Sequence, residues 1–248
     1  MVIVNPEFIK LIKETNSLKE MLCHKIVERE SLIFHECKNM KLEYMLRIGN
    51  LEYDLMKKQN ELLVLKRIKE LEKTKKYSQE EIAKKVEIEF SEFKVMEKKL
   101  LNDIDIAIDL SMTNLLGDKE IKRLNDVYYK LQLILNPDLK LTSSEKEDEL
   151  FECAKKNYKK GNVKKLEKIL EGYKDETIVD EYENLSKLRN RYSLLIEENQ
   201  KIITKIKMSF PYNQKDTLQD NNLLRRKKDE INSKIYAYDE EIKKIKKK

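Results

Sequence analysis

Glycine, proline and tryptophan are scarce in this sequence. Its 248 residues include four glycines, three prolines and no tryptophan. Because glycine and proline end helices and shape turns, their scarcity indicates long uninterrupted helices. Charged residues make up 40% of the chain, and Lys, Glu, Leu and Ile dominate, which is typical of extended helices and coiled coils rather than of an α/β enzyme. We therefore predict an all-α fold in the form of an elongated helical bundle.

Cysteine is also rare. The three cysteines, Cys23, Cys37 and Cys153, are odd in number and far apart, a pattern that favours reduced thiols in a cytosol. The N-terminus lacks a basic region followed by an apolar run, so we expect no signal peptide. No apolar stretch approaches the roughly 20 residues that a membrane-spanning helix needs. The sequence therefore predicts a cytoplasmic protein.

Motifs for catalysis are missing as well. We find no glycine-rich phosphate loop, no nucleophile elbow and no His-Glu-x-x-His pair. His24, next to Cys23, and His35, two residues before Cys37, are metal-ligand types, but on one helix the two histidines are separated by about 16 Å. Zinc holds its ligands within about 2.3 Å. We therefore expect no enzymatic activity, no metal site, no cofactor and no small-molecule substrate.

The C-terminal tail carries a run of positive charge. The net charge of +6 results from 52 basic and 46 acidic residues, which are mixed nearly everywhere else. Lys243–Lys248 forms a basic cluster, which is the pattern of a segment that touches nucleic acid or an anionic membrane. The simpler interpretation is a basic last turn that interacts with the negative end of a helix dipole. The tail therefore gives no firm nucleic-acid or membrane signal.

Apolar spacing divides the chain into three segments: 1–113, a bundle of long helices; 114–174; and 175–248. In the first, Asn5 and Pro6 are typical of a helix start. A break near 35–39 would give three helices of similar length, and one unbroken helix is the alternative. Gly49 lies within a strong helical pattern at a cost of about 1 kcal/mol against alanine, which predicts a close helix crossing there.

Local signals mark several helix ends. Ser78 with Glu81, and Ser144 with Glu147, have the spacing of a capping box, in which each side chain bonds the other's backbone N–H. Gly161 is suited to a left-handed turn that stops a helix. These signals predict helices that begin after residues 78 and 144 and one that ends before 161.

The third segment carries two heptad seams. Its apolar positions alternate spacings of three and four in two arms of equal length, Leu185–Ile206 and Leu224–Ile245. We predict a C-terminal antiparallel two-helix coiled coil, with partner numbers that sum to 430. This register pairs Leu195 with Ile235 and sets Asn199 opposite Ile231. The alternative is that the seams pair between two chains, which would make a homo-oligomer.

The middle segment contains an ordered set of residues. It comprises Tyr128 and Leu131, then Asn136-Pro137-Asp138, then Phe151 and Tyr158. The set resembles the J domain of DnaJ-type co-chaperones, in which a Tyr-Arg-Lys-Leu helix runs into a His-Pro-Asp loop and a second helix carries Phe and Tyr. The resemblance implies an antiparallel helical hairpin with the loop at its tip and these four apolar and aromatic residues in its core.

The sequence departs from the J-domain pattern where the family meets its chaperone. Asn136 replaces the loop histidine, and asparagine cannot become cationic. Tyr129 replaces the motif arginine, and Ile134 stands where a basic residue often precedes the loop. The resemblance gives these candidate partner-binding residues: Asn136, Pro137, Asp138, Lys122, Arg123 and Lys130. We expect binding of another protein without ordinary stimulation of a DnaK-type ATPase. A working DnaK co-chaperone and a binder of nucleic acid or membranes through the tail are the alternatives.

Overall fold

The structure, a computed structural model, describes residues 6–111, 115–173 and 182–247. All regular structure in these ranges is helical, with no strand. The predicted cap Asn5, the tail residue Lys248 and the predicted boundaries at 113/114 and 174/175 lie outside the described residues. No helix in the described part combines the length and apolarity needed to cross a membrane. The helices are α1 (Pro6–Ser31), α2 (Cys37–Tyr44), α3 (Asn50–Thr74), α4 (Gln79–Glu89), α5 (Ser91–Ser111), α6 (Asp118–Leu135), α7 (Glu145–Lys159), α8 (Val163–Gly172), α9 (Tyr182–Met208), α10 (Lys215–Gln219) and α11 (Asn221–Lys246).

Two compact units make up the chain, and each takes its helices from separate stretches of sequence. The first comprises Met1–Lys38 and Leu116–Tyr212. The second comprises Asn39–Leu115 and Asn213–Lys248. The predicted division at 113/114 and 174/175 groups the residues differently, because it follows chain order and the packing does not.

The first unit is built around α1 and α6. Helix α1 packs along α9 and against α6, while α6, α7 and α8 pack on one another. Gly161 follows α7 with φ +70°, the left-handed geometry expected of a glycine that stops a helix. The capping box at Ser144 and Glu147 starts α7 as predicted. The buried side chains of this core are Leu22, Cys23, Ile26, Val27, Leu124, Tyr128, Leu131, Leu135, Leu139, Phe151, Ala154, Tyr158, Leu166, Leu188 and Tyr192.

The second unit is organised by α3. Helix α11 packs along α3, and α4 and α5 pack against α3 as well. The predicted capping box is present, since Ser78 accepts from the Glu81 N–H and Glu81 accepts from the Ser78 N–H. Two groups of buried side chains result: Leu42, Tyr44, Met45, Ile48, Ile104, Ala107, Leu218, Leu224 and Ile231, and a smaller group of Leu71, Ile82 and Val86.

The predicted helix break near 35–39 is wrong, and the unbroken alternative holds. Helical conformation continues from Pro6 to Thr74 through two π-helical turns, Leu32–Glu36 and Met45–Gly49. A π turn adds a residue to one turn of the helix, so it shifts the helix face without breaking the chain. The stretch for which three helices of similar length were an expectation is therefore one long helix with two wide turns.

The two heptad seams of the third segment do not serve the predicted pairing. Tyr192 and Leu195 of α9 pack in the core of the first unit, where α9 lies along α1. Ile231 and Ile235 of α11 pack in the second unit, where α11 lies along α3. A heptad seam specifies a helical partner without specifying which helix that is. Each seam is therefore buried against a helix from the N-terminal part of the chain, the α9 seam against α1 and the α11 seam against α3.

Gly49 lies at a close helix crossing, as the sequence predicts. A Cβ on Gly49 would stand 2.9 Å from Cγ1 of Ile104 on α5 and 3.4 Å from Sδ of Met45. The first distance is shorter than a carbon–carbon contact allows, so the absence of a side chain permits this packing.

We predict that Gly49→Ala lowers the free energy of unfolding by about 1 kcal/mol, because overpacking exceeds the gain in helix propensity. Denaturant unfolding measures the change. Gly172→Ala is the control, because Gly172 is the last residue of α8 and a Cβ added there has no atom within 4 Å. That control is expected to be neutral or slightly stabilising. Unchanged or increased stability of Gly49→Ala would contradict the close crossing.

His35 in the first π turn predicts a dependence of stability on pH. Its ring is buried and packs edge-on against Tyr158, with centroids 4.9 Å apart. Its Nε2 has no hydrogen-bond partner among the described residues. Burial lowers the pKa of His35. The unfolded chain, with a histidine pKa near ~6.5, therefore binds the proton more readily than the folded chain.

We expect the free energy of unfolding to fall as the pH drops from about 7.5 to about 5.5, because protonation in that window favours the unfolded state. Urea unfolding at several pH values measures the slope. His35→Phe keeps a ring against Tyr158 and should flatten the slope. A slope that is the same in His35→Phe would assign the effect to other groups.

Candidate functional site

The core of the α6–α7 pair is a stack of two tyrosines. The rings of Tyr128 and Tyr158 are fully buried, with centroids 3.9 Å apart and planes 14° from parallel. Leu131 and Phe151 are buried in the same core. The structure thus brings together the four residues that the resemblance to J domains assigns to a hairpin core.

Both phenol groups of the stack have buried or half-buried acceptors. The Tyr128 hydroxyl donates to Oε2 of Glu30 at 2.8 Å, and the Tyr158 hydroxyl donates to Oδ1 of Asn125 at 2.6 Å. Burial raises the pKa of both tyrosines. Both therefore remain neutral donors, and Glu30 links α1 to the stack.

Asn136 points inward and closes the loop after α6. Its side chain is buried, with Oδ1 accepting from the Asp138 N–H at 2.8 Å and Nδ2 donating to Oε1 of Gln132 at 2.7 Å. Pro137 begins a short 3₁₀ turn, Pro137–Leu139, for which Asn136 is the cap. Asparagine is among the residues that best fill such a capping position. Asn136, the residue that the resemblance matches with the J-domain histidine, is therefore used for the loop's own structure.

Helix α9 holds the loop from outside. Arg191 donates through a terminal guanidinium nitrogen to Oδ1 of Asp138 at 2.8 Å. The Tyr192 hydroxyl donates to the buried carbonyl of Leu139, also at 2.8 Å. The Arg191–Asp138 pair is exposed and contributes about 0–1 kcal/mol at most. The buried Tyr192 bond is the stronger of the two restraints.

Glu147 holds the far end of the loop. It accepts from the Ser144 N–H at 2.9 Å, from Lys140 Nζ at 2.6 Å and from the Tyr173 hydroxyl at 2.5 Å. These donors, the lysine first, lower the pKa of Glu147 to about 2. The segment between α6 and α7 is therefore bound at both ends, by α9 and by the first turn of α7.

The three predicted basic residues of α6 do not converge on the loop. Arg123 donates through Nε and a terminal nitrogen to Oε1 of Glu167 on α8, at 3.0 and 2.6 Å. Lys122 and Lys130 are exposed and form no ion pair within the described ranges. Along α6, Lys122 lies about 20 Å from the helix end and Lys130 about 8 Å. Only Lys130 is near the loop.

Sequence reasoning missed the α9 residues at this site. Tyr192 has a place in the heptad seam, and Arg191 is an ordinary charged neighbour on a charged helix. Each bonds a loop residue 53 positions earlier in the chain. No local pattern signals a contact over that separation.

Metal chemistry and the basic tail gain no geometric support in the described part of the chain. No group of three His, Cys, Asp or Glu side chains is placed there to hold a metal ion.

In the tail, Lys243 pairs with Glu240 at 2.9 Å and Lys246 with Glu61 at 2.7 Å. Part of the tail's charge is therefore neutralised within the second unit.

No protein-family model, curated protein or solved structure matches this chain.

We predict that Tyr192→Phe lowers the free energy of unfolding by about 1–2 kcal/mol, because it leaves the buried Leu139 carbonyl without that donor. Thermal and denaturant unfolding measure the loss. Tyr236→Phe on α11 is the control, since Tyr236 is 67% exposed. Equal stability of Tyr192→Phe and the wild type would show that the bond does not hold the loop.

Proposed function

We propose that this chain is a divergent, non-enzymatic J-domain-like protein that acts by binding another protein. The observation that carries the proposal is the buried Tyr128–Tyr158 stack between α6 and α7, helices joined by a Pro137–Asp138 loop. A helical pair alone is a common arrangement, and fold does not imply function. The support comes from the order of core and loop residues together with their packing.

The state of Asn136 argues against ordinary stimulation of a DnaK-type ATPase. In J domains the loop histidine is the residue on which that stimulation is thought to depend. Asn136 is buried, both ends of its amide are hydrogen-bonded, and it cannot carry a positive charge. Arg123, one of the few basic residues left on α6, is paired with Glu167. We therefore propose a binding or scaffold role in a chaperone-related setting.

One observation favours the alternative of a working DnaK-type co-chaperone. The Asp138 carboxylate lies at the surface, and its pair with Arg191 is exposed on both sides. Such a pair is weak enough for a partner to replace it. This alternative requires that the aspartate suffices without the histidine.

The cellular setting belongs to the same proposal. The three cysteines are unpaired, which fits a reducing compartment. We therefore propose a cytoplasmic protein.

Full-length wild type, Asp138→Asn and the matched control Asp126→Asn test the proposal together. Asp126 is also an exposed aspartate, but it lies within α6 away from the loop. Each is immobilised, exposed to native cytosol and cross-linked, and the captured proteins are identified by mass spectrometry. We expect a defined partner that is retained by wild type and Asp126→Asn and reduced at least about tenfold by Asp138→Asn.

The same three proteins are then added to a DnaK-type chaperone in a single-turnover ATPase assay, with an ordinary J domain as positive control. We expect no rise above the basal rate. A clear rise that Asp138→Asn abolishes would replace the proposal with the co-chaperone alternative. Capture that is identical for all three baits would remove the loop as the binding surface.

A further inference from the structure

Helix α5 of the second unit has one buried face and one open face. Ile104 and Ala107 are buried in the core of the unit, and Asp103 beside them pairs with Lys41 at 2.9 Å. Successive residues of a helix are about 100° apart, so Lys98 lies on the side of α5 opposite Ala107. The side centred on Lys98 is the open face.

Four exposed charged side chains form a stripe along the open face. They lie within about 60° of one another around the helix axis. The charged stripe is Lys94, Lys98, Asp105 and Asp109. Both lysines lie in the N-terminal half of α5 and both aspartates lie in the C-terminal half. Within each pair the like charges are four residues apart, a spacing at which they repel each other.

The second unit itself does little to balance the charged stripe. Lys98, Asp105 and Asp109 form no ion pair with any residue of the three described ranges. Lys94 pairs with Glu87 at 3.1 Å, but both side chains are more than half exposed, so the pair is weak. Asp109 also lies in the last turn of α5, where the negative end of the helix dipole disfavours a carboxylate. The stripe therefore lacks a partner of matching charge.

Apolar side chains border the charged stripe on both sides. Val95 and Ile106 lie on one side and Leu101 on the other, and they are 66%, 44% and 41% exposed. Single exposed apolar side chains are common on protein surfaces and do not identify a binding site. Here they accompany a charge pattern along one helix face, so a single helix can cover both.

A second copy of α5 that runs in the opposite direction has the matching charges. A two-fold axis at the level of Leu101 brings Lys98 level with Asp105 of the second copy, to within about 1.5 Å along the helix. The same axis brings Lys94 level with Asp109 of the second copy, again to within about 1.5 Å. A parallel arrangement would instead place lysine beside lysine and aspartate beside aspartate.

The apolar borders match in the same arrangement. Val95 comes level with Ile106 of the second copy, to within about 1.5 Å, and both lie on the same side of the charged stripe. Leu101 meets its own copy at the axis. One register therefore satisfies the charges and the apolar side chains together.

We propose that the open face of α5 is a homodimer interface, in which two copies of the chain pair antiparallel about a two-fold axis at Leu101. In such an isologous interface every contact occurs twice, so both ends of the charged stripe are neutralised. One helix per copy is a small interface, and the dimer is therefore weak and reversible. The surface involves neither the loop at Asp138 nor the buried heptad seams, so its test is independent of the proposed function.

Sedimentation equilibrium of the full-length protein, from about 5 µM to about 200 µM, measures the association. We expect a monomer–dimer equilibrium with a micromolar Kd. Raising the salt concentration from about 50 mM to about 500 mM should weaken the dimer at least about fivefold, because exposed ion pairs are screened.

Charge reversal tests which residues meet across the axis. Lys98→Asp alone and Asp105→Lys alone each bring like charges level, so each should weaken the dimer at least about tenfold. A mixture of the two single variants restores opposite charges at both contacts and should form a heterodimer with a Kd near that of the wild-type dimer. Lys84→Asp, which reverses an exposed lysine on α4, is the matched control and should leave the Kd unchanged.

Leu101→Glu tests the position of the axis, because it places two carboxylates against each other and should abolish the dimer. Circular dichroism and thermal unfolding check that this variant and the charge reversals remain folded. A monomer at all concentrations would leave the open face to a different partner and overturn the proposal. A dimer that survives Leu101→Glu, an equal loss in Lys84→Asp, or single reversals that do not associate when mixed would also overturn it.

Discussion

The stacked tyrosines at the centre of the first unit are the contact on which that unit depends. Two phenol rings are removed from water together, so each hydroxyl needs an acceptor inside the protein. Glu30 of α1 and Asn125 of α6 supply the acceptors. One aromatic contact between α6 and α7 therefore also determines how α1 lies against them. The His35 ring, edge-on to Tyr158, extends the same cluster into the π turn.

The loop beside this core illustrates how side-chain direction decides what a motif can do. Asn-Pro-Asp and His-Pro-Asp differ by one residue, but a capping asparagine turns into the protein and is occupied by Gln132 and the turn. What remains at the surface is the Asp138 carboxylate, held by α9. The backbone of this loop is thus fixed by Asn136, while the position of its exposed carboxylate depends on α9.

Features governed by neighbouring residues were predictable from the sequence. The capping boxes at Ser78 and Ser144 and the left-handed Gly161 depend on residues a few positions apart, and all are present. The close crossing at Gly49 was predictable because a glycine inside a helix destabilises it unless a neighbouring helix needs the space. The all-α class followed from composition in the same way.

Features governed by partner choice were not predictable. The seams of α9 and α11 indicate that one face of each helix is buried. They do not indicate the partner, because an apolar stripe can pack against any complementary stripe. The partners are α1 for α9 and α3 for α11. The predicted coiled coil set Asn199 opposite Ile231, but Asn199 lines a cavity because its helix packs along α1. The π turns could not be distinguished from a break, because a wide turn changes the apolar phase just as a break does.

The discontinuous first unit also has a consequence during synthesis. Its α1 ends at Ser31 and its α9 begins at Tyr182, roughly 150 residues later. At about 5–20 residues per second, α1 leaves the ribosome roughly 10–35 s before α9 is complete. For that time the face of α1 that packs along α9 has no α9 to cover it. A growing chain of this design therefore benefits from shielding by other proteins before it can shield itself.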